Sequence, residues 1–431
     1  MYRKFLRELE SWEDGKVKEP LLVTGARQVG KTWLIKSFCE ERYDDHVYIN
    51  LEEQQSIASV FEGDLDPATL LRNIGILLGR RIDSNTAIFI DEIQVSERAI
   101  NSLKYFCEAK ENYRIICAGS LLGVKINRFQ SSFPVGKVCI KKMHPMDLEE
   151  FLIACGEEQL KDSIKAAYDN MAALPQAIHE KALKLYHDYL IVGGMPQAVS
   201  DYIRNGKNIM AFNRDLLEYI TLAYKADMAK YVFSSAESTK ITSVYDSIPR
   251  QLARENPKFK YSEIKTTANK RDYYAPIDWL KSSGMVYKID SLDSVSVPLK
   301  AYENSSCFKI YMSDVGLLCR MTGLVPADLM PDRDNTYKGA VVENYVFEQL
   351  AVSHTELYYF KPSDSMEIDV IIQIDNNVIP IEIKSGRHKR SVSLKNYMEK
   401  YEPAYSVRLS ENNFGMANGI RSVPLYAVFC I

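Results

Sequence analysis

An α/β fold built on a parallel sheet is predicted by three stretches of this sequence. In the first, LLVTGARQVGKT at Leu21–Thr32, an apolar run stops at Thr24 and the next residues spell Gly25-x-x-x-x-Gly30-Lys31-Thr32, the pattern of a phosphate-binding loop between a strand and a helix. In the second, the apolar run Ala87–Ile90 ends in Asp91-Glu92, as a strand buried on both faces of a parallel sheet would. In the third, Tyr113–Ala118 ends in Gly119-Ser120, which places a hydroxyl at the carboxyl edge, where open α/β sheets hold their ligands.

The 431-residue chain exceeds one ordinary core and suggests about three domains. A net charge of −3 gives no global attraction to nucleic acid or an acidic membrane, so such binding must come from local patches. The eight cysteines are scattered singly, without a C-x-x-C pair or histidines at ligand spacing, which argues against a disulfide framework or a zinc site. MYRKFLRELESWED has no apolar signal-peptide core, and no run of about 18 apolar residues occurs. A reduced, cytosolic (cytoplasmic) protein is expected, with no membrane partner.

Tyr2–Trp12 carries a helical stripe at Phe5, Leu6, Leu9 and Trp12, with Arg3, Lys4 and Arg7 on other faces. In the phosphate loop the glycines permit positive φ and close approach, so that Gly25, Ala26, Arg27, Gln28, Val29, Gly30, Lys31, Thr32 and Trp33 can wrap a triphosphate. The following helix, Trp33–Cys39, points its positive end at the anion. Lys31 would reach the β- and γ-phosphates, and Thr32 would offer its hydroxyl to Mg²⁺. A second strand is expected at His46–Leu51 and an amphipathic segment near Ser56–Phe61.

Asp91 fits the acid that orders the Mg²⁺ shell, Glu92 the general base that polarises the attacking water, and Gln94 a residue that helps place that water. Ser120 fits a sensor of the γ-phosphate. A fifth strand, Lys137–Lys141, completes a sheet whose acid-bearing strand lies between the first strand and the others.

GARQVGKT, IFIDEIQ, AGSLLG, PVGKVCIKKMHPMDLEEFL and YLIVGGMPQAV (Tyr189–Val199) together resemble a family of prokaryotic AAA-type P-loop ATPases whose C-terminal half is a domain of unknown function. The resemblance covers nearly the whole chain. It implies ATP as the nucleotide, an ATP-binding domain at 1–155 and a helical lid at 156–235. Members usually carry Gly-Arg where Gly136-Lys137 stands; that arginine would be the charge-stabilising finger. Lys137 keeps the charge without the planar fork. Arg128 and an arginine from another subunit, which would require a homo-oligomer, are the alternatives.

Residues 157–235 read as helices broken at Pro175 and at Gly193-Gly194-Met195-Pro196, with Asp215 and Asp227 on solvated faces. KITSVYDSIPRQLA, YSEIKTTA and DYYAPIDWLKSSG, followed by MVYKI, read as three helices and a ribbon, a winged helix within 236–330. Lys258, Lys260, Lys265, Lys270 and Arg271 interleave there with Tyr261, Tyr273 and Tyr274, the mixture that phosphate contacts flanked by stacking groups require. A winged helix used for protein packing is the alternative.

In 331–431 a helix at Ala340–Val352 precedes strands at Leu357–Lys361, Glu367–Ile374 and Val378–Lys384, the last two joined by Asp375-Asn376-Asn377. A helix near Leu394–Tyr401 and strands at Tyr405–Arg408 and Leu425–Cys430 follow. Period-two geometry puts Glu367 and Asp369 on one strand face and Glu382 and Lys384 on one face of the next. With Glu343 on the preceding helix, the arrangement resembles the PD-(D/E)XK restriction-endonuclease-like α/β fold. There the acids would hold Mg²⁺ and the lysine would steady the attacking water.

The sequence therefore reads as an ATP- and Mg²⁺-dependent ATPase whose C-terminal half acts on DNA. The alternative is a nucleotide switch that holds a protein partner, with an inactive nuclease-like domain as scaffold.

Overall fold

The computed structural model describes residues 1–15, 19–127, 133–230, 232, 234–254, 258–329, 337–354, 356–363, 366–385 and 392–431. They divide into two compact units: residues 1–145 with 282–285, and residues 146–281 with 286–431. Among the described residues no helix is long and apolar enough to cross a membrane.

The first unit is built on five parallel strands, β1 (Leu21–Thr24), β2 (His46–Asn50), β3 (Ala87–Asp91), β4 (Ile115–Ala118) and β5 (Cys139–Lys142), in the order β2-β3-β4-β1-β5. The three central strands are buried along their whole length, and edge strands β2 and β5 alternate, which is why only the former read as unbroken apolar runs. The order corrects the sequence reading: β4, not β3, stands beside β1. Two strands equally apolar on both faces carry no mark of which lies nearer the first.

Two helices had no clear sequence signal, Pro67–Leu78 and Glu97–Glu108. Each is started by a side-chain cap, Asp66 accepting from the Thr69 amide at 2.9 Å and Ser96 from the Ala99 amide at 3.1 Å. They bury Leu70, Ile74, Ile100 and Leu103 against Leu22, Ile88, Ile90 and Ile115, each side chain stabilising by about 1.5–3 kcal/mol.

The second unit starts with helices, the longest of them Gln176–Val192, Asp215–Lys230 and Ser235–Leu252. The expected break after Val192 is real: a Cβ on Gly193 would sit 2.3 Å from Asp314 Oδ1, and one on Gly194 would sit 1.9 Å from the Met146 carbonyl oxygen. Asp215 is exposed and pairs with Arg320 at 3.1 Å, whereas Asp227 is buried, contrary to a solvated face.

An eight-stranded mixed sheet follows: β6 (Val286–Leu292), β7 (Glu303–Met312), β8 (Tyr358–Ser363), β9 (Met366–Ile374), β10 (Asn377–Ile383), β11 (Ser406–Ser410), β12 (Gly415–Ala417) and β13 (Ile420–Pro424), in the order β12-β13-β11-β10-β9-β8-β6-β7. The β9–β10 hairpin turns at Asp375-Asn376, with Asp375 at φ +52°. The ribbon β6–β7 is not a free wing, because β6 also pairs in parallel with β8; a boundary at 330/331 passes through this sheet. The middle helix expected at YSEIKTTA is a single 3₁₀ turn, Tyr261–Glu263. Leu425–Cys430 is likewise a 3₁₀ segment rather than a strand. Its apolar run is buried, and a short run without periodicity does not separate the two conformations.

Candidate functional site

The loop after β1 has the geometry of an anion cradle. Gly25 adopts φ +138°, and a Cβ there would lie 2.2 Å from the Met143 carbonyl oxygen, so no other residue fits. Gln28 (φ +65°) and Gly30 (φ +94°) complete the turn into helix Lys31–Arg42. Ala26 and Val29 are buried, Arg27 is half-buried, and Trp33 stands 55% exposed in the first turn of that helix. Lys31 is buried and donates to the carbonyls of Gly25 and Ala26, at 2.8 Å each. A triphosphate would exchange those two acceptors for its own oxygens.

Arg3, which the sequence offered only as a basic residue on a helix flank, is 4% exposed and donates to the carbonyls of Val29 at 2.5 Å and His144 at 2.6 Å. It ties the phosphate loop to the segment after β5. No local pattern marks it.

Thr32 Oγ1 donates to Asp91 Oδ2 at 2.7 Å, and the Tyr48 hydroxyl reaches the same oxygen at 3.3 Å. A hydroxyl and a carboxylate are oxygen donors of the kind that would hold Mg²⁺. Glu92 follows in the left-handed conformation (φ +52°), and burial pushes its carboxyl above the ordinary range. Its Oε2 accepts from Gln94 Nε2. Ser120, nearly buried, lies past the carboxyl end of β4. Because β4 stands between β1 and β3, the strand order sets Ser120 between the phosphate loop and Glu92.

Lys137 is a correction. β5 runs parallel to β1 with Cys139 opposite Leu21 and Lys142 opposite Thr24. Lys137 therefore precedes the amino end of its strand while the loop leaves from the carboxyl end, about 16 Å away along the strand at about 3.3 Å per residue. Its ammonium pairs with Glu108 at 3.1 Å, and that bond raises its pKa. Within its own chain it cannot serve as a finger. Arg128 lies outside the described residues.

In the second unit, β7 contributes a residue the sequence reading missed. Lys309, 1% exposed, donates to Glu343 at 2.9 Å and to Glu367 at 3.2 Å. Burial works against its charge, but Glu343, Glu367 and Asp369 more than offset it and raise its pKa. Tyr311 adds a 2.5 Å hydrogen bond to Glu343, and Lys361 a 2.8 Å ion pair to Glu367. Asp369 accepts from the Ile383 amide at 2.8 Å; burial, then Glu343, pushes its carboxyl up to about 7. Glu382 instead turns to Lys384 at 2.8 Å. The ammonium thus bridges Glu343 and Glu367, with Asp369 near enough for its charge to act on Glu343 and Lys309. Among the described residues no three His, Cys, Asp or Glu side chains are grouped to hold a metal ion; Asp369 and Glu382, the two acids expected as ligands, stand on the neighbouring strands β9 and β10.

On the helix Lys270–Ser282, Lys270, Arg271 and Tyr274 are exposed, as is Lys265 before it. Tyr273 is buried, Tyr261 is half-buried with its ring edge-to-face against Phe259 at 5.4 Å between centroids, and Tyr274 is the most exposed of the three.

Compared with known proteins, residues 17–152 match the family described as "AAA domain", and residues 183–328 and 338–428 match two domains of unknown function, DUF8612 and DUF4143. No curated protein matches. Among solved structures, a Walker-type ATPase of Pyrococcus abyssi is 18% identical, with 73% of this chain and 94% of that chain covered and a TM-score of 0.45. The ORC2 protein of Aeropyrum pernix is 11% identical (75% and 93% covered, TM-score 0.37), and AMPPCP-bound DnaA of Aquifex aeolicus 15% (65% and 87%, TM-score 0.29).

Proposed function

We propose that this chain binds ATP in the loop Gly25–Thr32 and hydrolyses it, and that nucleotide state governs what the second unit holds. The observation that carries the reading is the 2.7 Å contact between Thr32 and Asp91, one step in sequence from Glu92, on a domain matching the AAA family. Loop amides and the start of the helix Lys31–Arg42 bind the phosphates. Lys31 moves from its own carbonyls to the β- and γ-phosphates, and Thr32 and Asp91 would hold Mg²⁺, which would offset charge on the phosphate oxygens. Glu92 takes a proton from the attacking water, and Ser120 contacts the γ-phosphate.

The test is a pair of variants: Lys31→Ala should lose nucleotide affinity by at least tenfold, while Glu92→Gln keeps affinity and loses turnover, because Lys31 meets ground-state phosphates and Glu92 acts as the transition state forms. Equal affinity in wild type and Lys31→Ala would refute the reading.

For the second unit, DNA remains the proposed partner through Lys265, Lys270 and Arg271. A scaffold without cleavage is favoured for the acids around Glu343 by the Lys309 ammonium, which already bridges Glu343 and Glu367.

A further inference from the structure

Glu92 is followed by a 3₁₀ turn, Ile93–Val95, that carries Gln94 back toward the carboxylate. Gln94 is 3% exposed; its Nε2 donates to Glu92 Oε2, and its Oε1 is buried without a hydrogen-bond partner. The amide oxygen points at Gly119: a Cβ there would stand 1.8 Å from Gln94 Oε1 and 2.9 Å from its Cδ. Gly119 is needed for space rather than for an unusual φ, and it immediately precedes Ser120.

We infer that Gln94 is a positioning residue for Glu92, braced by Gly119 at the foot of the Ser120 turn, so that a single orientation of the Glu92 carboxylate leaves Oε1 for the water. A base oriented by a third group is the usual arrangement of activated sites. The left-handed backbone at Glu92 gives the reason: the side chain leaves the strand in a conformation few non-glycine residues adopt, and one hydrogen bond is needed to fix it. An orphaned buried oxygen is costly and is tolerated here because the amide's other end is engaged. This inference rests on the reading of Glu92 as the base.

The test uses the full chain, with steady-state kinetics and the Kd of a fluorescent ATP analogue. Gln94→Met keeps the volume and removes the donor; kcat should fall at least tenfold with KM and Kd within twofold. Gly119→Ala drives the amide off its seat and should lower kcat similarly. Adding Gly119→Ala to Gln94→Ala should cost less than twofold more, because the clashing group is gone. Wild-type kcat in Gln94→Met, additive losses in the double variant, or a loss confined to Kd would each overturn the inference. Glu92→Gln is measured beside them. If it still turns over, the base assignment fails and this inference with it; if it is inactive while Gln94→Met is unimpaired, only the inference fails.

Discussion

Lys309→Met tests whether the C-terminal acids are organised by a built-in cation. Lys309 Nζ lies 2.9 Å from Glu343 and 3.2 Å from Glu367, and the three side chains are 1%, 17% and 24% exposed. At an effective dielectric near 20 each attraction is about 5 kcal/mol, most of it offset by desolvation. Removing one partner of such a group leaves the others uncompensated and typically costs about 3–5 kcal/mol. Tyr311 still serves Glu343 and Lys361 still serves Glu367, so the expected loss is near the lower end, about 3 kcal/mol by urea unfolding at pH 8. The loss should shrink at pH 6. Asp369 titrates well above its unfolded value, so through that interval the native chain holds a proton that the unfolded chain lacks, and stability falls as pH rises. Without Lys309 the interval extends upward. Mn²⁺ should then return part of the loss, about 1.4 kcal/mol at ten times its Kd. Unchanged stability in Lys309→Met would refute the argument. So would Mn²⁺ stabilising the wild type and supporting cleavage of plasmid DNA.

Lys137→Ala should keep turnover within about twofold of wild type, since the side chain lies at the far edge of the sheet; a larger loss in an ATPase assay at saturating ATP would mean it acts on another copy's site. Gly25→Ala should abolish nucleotide binding and lower the Tm, because its Cβ would strike the Met143 carbonyl at 2.2 Å; normal affinity by calorimetry would contradict this. Reversing Lys265, Lys270 and Arg271 to glutamate should remove salt-dependent DNA affinity measured by anisotropy, and binding that persists would move the partner away from this face.

The candidate nucleotide site is legible because its parts are consecutive. Gly25 to Thr32 is one loop, and Asp91-Glu92 is the end of one strand, so composition and adjacency suffice. What had to be inferred across the fold was less secure. Arg3 reaches partners 26 and 141 residues away, and nothing in MYRKFLREL marks it as a buttress. Lys137 was misplaced for the converse reason: proximity in sequence to a strand does not say which end of that strand faces the ligand. Gln94 was visible, but its bond to Glu92 and its seat on Gly119 depend on β3 and β4 being neighbours.

The C-terminal cluster shows how a residue pattern takes its electrostatics from its surroundings. Asp369 and Glu382 stand on the adjacent strands β9 and β10, and Lys384 directly follows the second. What decides their chemistry is Lys309, 34 residues from Glu343 and 58 from Glu367, on a strand that lies within 183–328 rather than in the region matched at 338–428. The two regions share one sheet, because β6 hydrogen-bonds to both β7 and β8. Residues 331–431 taken alone would leave β8 as an exposed edge and Glu343 and Glu367 without the ammonium between them. The hairpin β6–β7, which the sequence presents as the wing of a separate domain, is instead the part of the sheet that supplies the cluster's counter-ion.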